Sequence, residues 1–206
     1  MGDLNLKSTT IEKSLDVASG LFNKLFGSVV EELSLRMTDN LKMFRLKNQI
    51  RNFKKIEKIV ADNNITMRQI NLKALVPYLE AVGLEEEESL QEAWANLMSN
   101  YIDSSKNLIS HVYPDVLKQL SSNELALLEF IIVKTDLNTF TVKQFTEEEI
   151  GNVTRLNLIE ERMRNDGGRG ILSSNIAYPS GIFFPTRFGK SFYQACRIYA
   201  VSDQSL

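Results

Sequence analysis

Apolar residues recurring every three or four positions dominate the first half of the chain. Ile11, Leu15, Ala18, Phe22, Leu25, Val29 and Leu33 fall on one helix face, and the pattern predicts helix almost throughout residues 9–64. Gly20 and Gly27 interrupt it seven residues apart. Each glycine weakens a helix by about 1 kcal/mol relative to alanine, so the pair predicts close packing or a break near Gly27. In a second stretch, 41–60, Leu46, Ile50, Phe53, Ile56 and Val60 share one side, while Lys47, Arg51, Lys54, Lys55 and Lys58 occupy roughly the opposite one. Asn63-Asn64 is expected to end it, because asparagine tolerates the left-handed cap conformation. Leu72, Leu75, Val76 and Leu79 mark a further helix, with Pro77 limiting its regularity and Gly83 breaking the chain. Glu85 to Glu88 are expected in the first turn of the next helix, at the positive end of its dipole. Leu90, Trp94, Leu97, Met98 and Tyr101 form that helix's buried face.

The pattern changes after a polar connection at 104–115, which contains Ser104-Ser105-Lys106-Asn107 and Pro114. A short helix is predicted from Val116 to Leu120. Ser121 and Glu124 then have capping-box spacing ahead of Leu125, Leu127, Leu128, Ile131 and Ile132. Thr139 to Val142 reads as a short strand. Thr146 and Glu149 repeat the capping-box spacing ahead of Ile150, Val153 and Leu156, in a short helix ending at Leu158-Ile159. Asn165-Asp166-Gly167-Gly168 predicts a hairpin between Met163 and Ile171. Ile182, Phe183 and Phe184 supply a second wing strand, and Phe188, Phe192 and Ala195 lie on one face of a closing helix. This order predicts a mainly α protein: a helical domain with long amphipathic N-terminal helices over residues 1–110, then a small winged-helix-like α+β domain over 111–206.

Charge narrows the function. A net charge of −2 and a pI near 5.6 exclude a protein that coats nucleic acid over its whole surface, but not one with a local basic patch. No run approaches 18 consecutive apolar residues, so no spanning helix is expected. Cys196 is the single cysteine, which rules out an intramolecular disulfide and fits a reducing cytoplasm. The start, Met1-Gly2-Asp3-Leu4-Asn5-Leu6-Lys7, lacks the basic opening and apolar run of a signal peptide.

Catalytic chemistry finds little footing. The single histidine, His111, stands in the polar connection with no serine or cysteine in a triad-like motif. Cys196 lies among Phe192, Ala195 and Tyr199, as a small buried hydrophobe would. One cysteine and one histidine cannot build a zinc site from soft ligands. The carboxylates of Glu85–Glu88 point around a helix in different directions. Gly167-Gly168-Arg169-Gly170 is too short, and follows the wrong elements, for a phosphate loop. No catalytic residue, metal or cofactor is therefore expected, and the chain is read as a non-enzyme.

Recognition is the better reading. Candidate nucleic-acid or anion contacts are Lys47, Arg51, Lys54, Lys55 and Lys58, with Arg162, Arg164 and Arg169 on the wing. The plainer account of the first five is a solvated face paired with the acidic 85–92 segment. The helix that would enter a DNA groove begins Glu147-Glu148-Glu149 and offers only Arg155, so it would repel a duplex. A protein partner, either self or another protein, is expected in its place. Ile11, Leu15, Phe22, Leu25, Val29 and Leu33 are a candidate oligomer seam or membrane-surface face.

Several segments together resemble one bacterial family. Lys42-Met43-Phe44-Arg45-Leu46-Lys47-Asn48-Gln49 looks like its "W/F-R-x-K-N" helix. Leu72-Lys73-Ala74-Leu75-Val76-Pro77-Tyr78-Leu79-Glu80 is similar to its "LK-x-L-x-P-L-L-E" stretch. Glu86-Glu87-Glu88-Ser89-Leu90-Gln91-Glu92-Ala93-Trp94-Ala95-Asn96-Leu97-Met98 resembles "E-x-x-L-x-x-x-W-A-x-L-L". Leu156-Asn157-Leu158-Ile159, Thr186-Arg187-Phe188-Gly189-Lys190-Ser191-Phe192 and Ala195-Cys196 resemble "L-G-L-I … T-x-x-G-x-x-F … A-C". The family is Abi-alpha, the abortive infection alpha proteins, and the resemblance covers roughly residues 20–198. It departs at Asn157, where glycine is common. The resemblance implies a bacterial cytosolic protein with a part in defence against phage, and it brings no catalytic residues with it. A partner-binding defence protein is the leading expectation. A nucleic-acid-binding regulator and a membrane-acting effector are the alternatives.

Overall fold

The computed structural model describes residues 39–70, 72–106, 110–133, 144–165 and 177–197. Among them are seven helices and a two-stranded antiparallel sheet, a mainly helical fold. The chain divides into two units, Met1–Lys118 with Ala195–Leu206, and Gln119–Gln194.

The first unit contains α1 (Asp39–Asp62), α2 (Leu72–Val82), α3 (Glu88–Ile102) and α4 (Val112–Leu117). Helix α1 packs on α2 and α3, and α4 packs on α2. Phe53, Ile56, Leu75, Tyr78, Val82, Trp94, Leu97, Met98 and Ile102 are buried. The Tyr78 ring lies 6.4 Å from Phe53 and meets Trp94 edge-on at 5.9 Å, a geometry aromatic quadrupoles favour. Of the expected faces, Phe53, Ile56, Leu75, Leu79 and the whole Leu90–Tyr101 set are buried, Leu46, Ile50 and Val60 are half-buried, and Val76 is exposed. Helix α2 runs straight through Pro77. Proline has no N–H to give the Lys73 carbonyl, yet the helix continues to Val82. At the end of α1 Asn64 takes the left-handed conformation, φ 50°. The Ile65 N–H then reaches the Val60 carbonyl and the Asn64 N–H the Ala61 carbonyl, the two bonds of a Schellman cap.

Two boundaries differ from expectation. Of Glu85–Glu88 only Glu88 lies inside α3, with Glu87 as its N-cap. Helix α4 begins at Val112 and ends at Leu117, not Val116 to Leu120. Pro114 sits in its first turn, where a missing N–H would be unsatisfied anyway.

The second unit holds α5 (Ser122–Val133), α6 (Glu147–Arg155), β1 (Ile159–Asn165), β2 (Ala177–Pro185) and most of α7 (Arg187–Ala195). Both capping boxes form: Ser121 Oγ accepts from Glu124 N–H while Glu124 Oε2 accepts from Ser121 N–H, and Thr146 and Glu149 do the same. Helix α6 stops at Arg155, short of the expected Leu158-Ile159. Asn157 has φ 57°, and Leu158 N–H bonds to Val153 carbonyl and Asn157 N–H to Thr154 carbonyl. Val153 and Leu158, the apolar pair that closes such a cap, are both fully buried. Leu158 then leads straight into β1. The strand pairs Ile159 with Pro185 and Asn165 with Ala177, with an irregularity between Glu161 and Met163. Met163 pairs with Pro179; the expected turn through Asp166-Gly167-Gly168 and the residue Ile171 lie outside the described residues.

The expected strand Thr139–Val142, the stripe Ile11, Leu15, Phe22, Leu25, Val29 and Leu33, and Arg169 lie outside the described residues.

Candidate functional site

The basic face of α1 is partly consumed inside the first unit. Arg51 and Lys55 both pair with Glu88, and Lys55 lies 3.8 Å from Glu92. Arg51 also donates to the Glu86 carbonyl at 3.1 Å. The Lys55 ammonium, and after it the Arg51 guanidinium, hold the Glu88 carboxyl below the usual carboxylate range. Lys47, Lys54 and Lys58 are exposed. Helical spacing explains the split: Arg51 and Lys55 lie on the flank of α1 nearest the start of α3, where Glu88 and Glu92 stand one turn apart. The acidic run divides its labour too, since Glu85 Oε1 accepts from the Glu87 N–H at 2.9 Å.

Behind this face lies a polar set that the hydrophobic pattern gave no reason to single out. Asn48, Asn52 and Gln91 are buried. Tyr78 Oη donates to Asn52 Oδ1 at 2.6 Å, and Asn52 Nδ2 donates to Gln91 Oε1 at 2.6 Å and to its carbonyl at 2.8 Å. Gln91 Nε2 donates to the Glu85 carbonyl at 2.8 Å, and Asn48 Nδ2 to the Gly83 carbonyl at 3.1 Å. The amides thus fasten α1 to the α2–α3 turn. A Cβ on Gly83 would lie 3.2 Å from Arg45 Cβ, so the turn comes close to the helix backbone. Burial without charged neighbours raises the Tyr78 hydroxyl well above its ordinary range, as befits a structural donor. Two asparagines four apart, on the border of the apolar and basic faces, were the available signal.

In the second unit the capping boxes interlock. Asn123 Nδ2 donates to Glu149 Oε1 at 3.0 Å, and Asn152 Nδ2 donates to Glu124 Oε1 at 2.7 Å. Each box therefore receives a hydrogen bond from the other helix. Glu124 is 8% exposed, and its carboxylate accepts bonds on both oxygens. Arg155 is held by Asn152 Oδ1 and Gln119 Oε1. Glu147 and Glu148 remain exposed at the start of α6.

On the sheet, the Arg162 guanidinium stands over the Phe184 ring, 5.9 Å from its centroid. Arg164 lies in β1, its side chain outside the described set. Thr186 caps α7, accepting from the Gly189 N–H at 2.8 Å while donating to the Asn157 carbonyl at 2.6 Å. A Cβ at Gly189 would stand 1.9 Å from the Leu158 carbonyl oxygen, so this helix turn tolerates no side chain.

His111 is exposed and makes no side-chain cap at the start of α4. Cys196 is buried, which pushes its thiol up and away from reactivity. Among the described residues, no three His, Cys, Asp or Glu side chains gather as metal ligands would, and no helix is long and apolar enough to cross a membrane.

No curated protein and no solved structure matches the chain. The family model for abortive infection alpha matches residues 39–167. That span takes in the "R-x-K-N", "LK-x-L-x-P" and "W-A-x-L" segments and Leu156–Ile159, and leaves out Thr186–Cys196. It is more than half of the chain, which therefore belongs to the abortive infection alpha family.

Proposed function

We propose that this protein is a non-enzymatic phage-defence factor of the bacterial cytoplasm. It acts by binding a protein partner through its helical unit and a winged-helix-like module formed by Gln119–Gln194. The family name supports the defence role. The binding mode is carried by the start of α6. Capping commits Glu149 to Thr146 and Asn123, while Glu147 and Glu148 stay exposed. A helix that reads DNA would meet phosphate there, and two carboxylates repel it. A partner surface bearing lysine or arginine suits them.

Affinity capture from phage-infected cells tests the reading, with wild-type protein, an E147K/E148K variant, and a chain lacking residues 1–40. The wild type is expected to retain a protein that the charge-reversed variant loses. Tight, strongly salt-dependent binding of the wild type to a specific duplex would overturn the reading in favour of a nucleic-acid-binding regulator. Flotation with anionic vesicles would favour a membrane-acting effector. Cleavage of DNA, RNA or nucleotide, abolished by one substitution, would show an enzyme.

A further inference from the structure

Asn100 lies near the end of α3 and is 3% exposed. Its Nδ2 donates to the Ala195 carbonyl at 2.7 Å and to the Arg197 carbonyl at 3.0 Å. Its Oδ1 accepts from Lys106 Nζ. The two carbonyls belong to the last turn of α7 and the residues after it, where a helix has no amide of its own to offer. One side chain, about 95 residues away in the chain, therefore supplies the C-terminal cap of α7. The Lys106 charge also suits the negative end of that helix. Ala195 and Cys196 are buried along with it.

The place of this cap in the chain gives it meaning. The backbone leaves the helical unit after Lys118 and rejoins it at Ala195. Residues 195–197 are thus the point where the chain returns, and Asn100 holds their carbonyls.

We propose that Asn100, braced by Lys106, is a latch. Closed, it keeps Ala195–Arg197 on α3. Open, it frees Ala195–Arg197 from α3. Both donations come from one amide, so these two bonds are lost together. The inference does not depend on the proposed partner, because it concerns the isolated protein.

Cys196 is the only cysteine and sits inside the latched segment, so its rate of labelling by a maleimide reports opening. The full-length wild type is expected to label far more slowly than the urea-unfolded chain. Asn100→Ala is expected to label about tenfold faster or more, since a buried Ala195 carbonyl that has lost its donor favours the open form by at least that factor. Lys106→Met keeps both amide donations and is expected to give a smaller increase. In both variants the added labelling should depend weakly on urea, as local opening does. Fluorescence of Trp94, the single tryptophan, should report an intact helical unit. Wild-type labelling at the unfolded rate would overturn the latch. So would unchanged rates in both variants, or an acceleration in Lys106→Met with the urea dependence of global unfolding.

Discussion

Asn157 and Gly189 show how a single residue fixes the junction between α6, β1 and α7. Asn157 spends its conformational tolerance on a left-handed φ of 57°. An ordinary L-residue pays roughly 1–2 kcal/mol there, and glycine pays nothing. Asn157→Ala is expected to destabilise the second unit by about 1 kcal/mol, and Asn157→Gly to be neutral or mildly stabilising; urea denaturation of the two variants checks this. Gly189→Ala places a methyl 1.9 Å from the Leu158 carbonyl oxygen, a backbone atom that cannot swing aside. Its expected cost is about 3 kcal/mol or more. A variant with a wild-type midpoint would show that α7 can shift. In the first unit, Asn52→Ala strands the Tyr78 hydroxyl and the Gln91 amide inside the protein. A loss of about 2–4 kcal/mol is expected, against far less for exposed Lys54→Ala, and thermal unfolding compares the two.

At the scale of elements, α5 and α6 bury Leu127, Leu128, Ile131 and Val153 and are also joined by caps that serve each other. The Thr146 N–H, and after it the Asn123 amide, hold the Glu149 carboxyl below the usual carboxylate range. A carboxyl lowered in the folded state contributes stability that is fully present above its unfolded pKa. That contribution is lost as pH falls through the lower folded value. The second unit is therefore expected to weaken on the acid side of the ordinary glutamate range and not in alkali. Urea midpoints taken from about pH 6 down to about pH 3 should fall, and Glu149→Gln should flatten part of that fall. Glu88, held down first by Lys55 and then by Arg51, adds a similar acid sensitivity between α1 and α3.

At the scale of the whole molecule, the proposed partner binding rests on charge, and the expectation of self-association rests on the N-terminal stripe. The five cations of α1 read in sequence as a basic face, with pairing to the acidic 85–92 segment as the plainer account. In the fold Arg51 and Lys55 answer Glu88, which leaves less charge for an external anion. The stripe from Ile11 to Leu33 lies outside the described residues, and its destination is a question for solution. Each buried leucine or phenylalanine is worth about 1.5–3 kcal/mol, so several suffice to hold a dimer. Phe22→Glu combined with Leu25→Glu is expected to dissociate an oligomer while leaving the C-terminal unit folded. Light scattering showing a wild-type monomer across micromolar concentrations would eliminate the seam.

The sequence by itself determined most of the described helices, though not the bounds of α4 or the end of α6, because helical periodicity and cap chemistry are local. The buried faces of α1 and α3, both capping boxes and the asparagine end of α1 were legible from residue type and spacing alone. The exposed acidic start of α6 was legible for the same reason. Partners distant along the chain were not. Nothing local says that β1 pairs with 177–185 in the observed register, because register is settled by what each strand face packs against. Spacing places Arg51 and Lys55 on a basic face, but only the packing of α1 on α3 decides that Glu88 neutralises them. The burial of Asn48, Asn52, Gln91 and Asn100 is likewise a tertiary outcome. An asparagine reads as a surface or turn residue until a carbonyl from another element is brought within 3 Å of it, and then burial makes that bond obligatory.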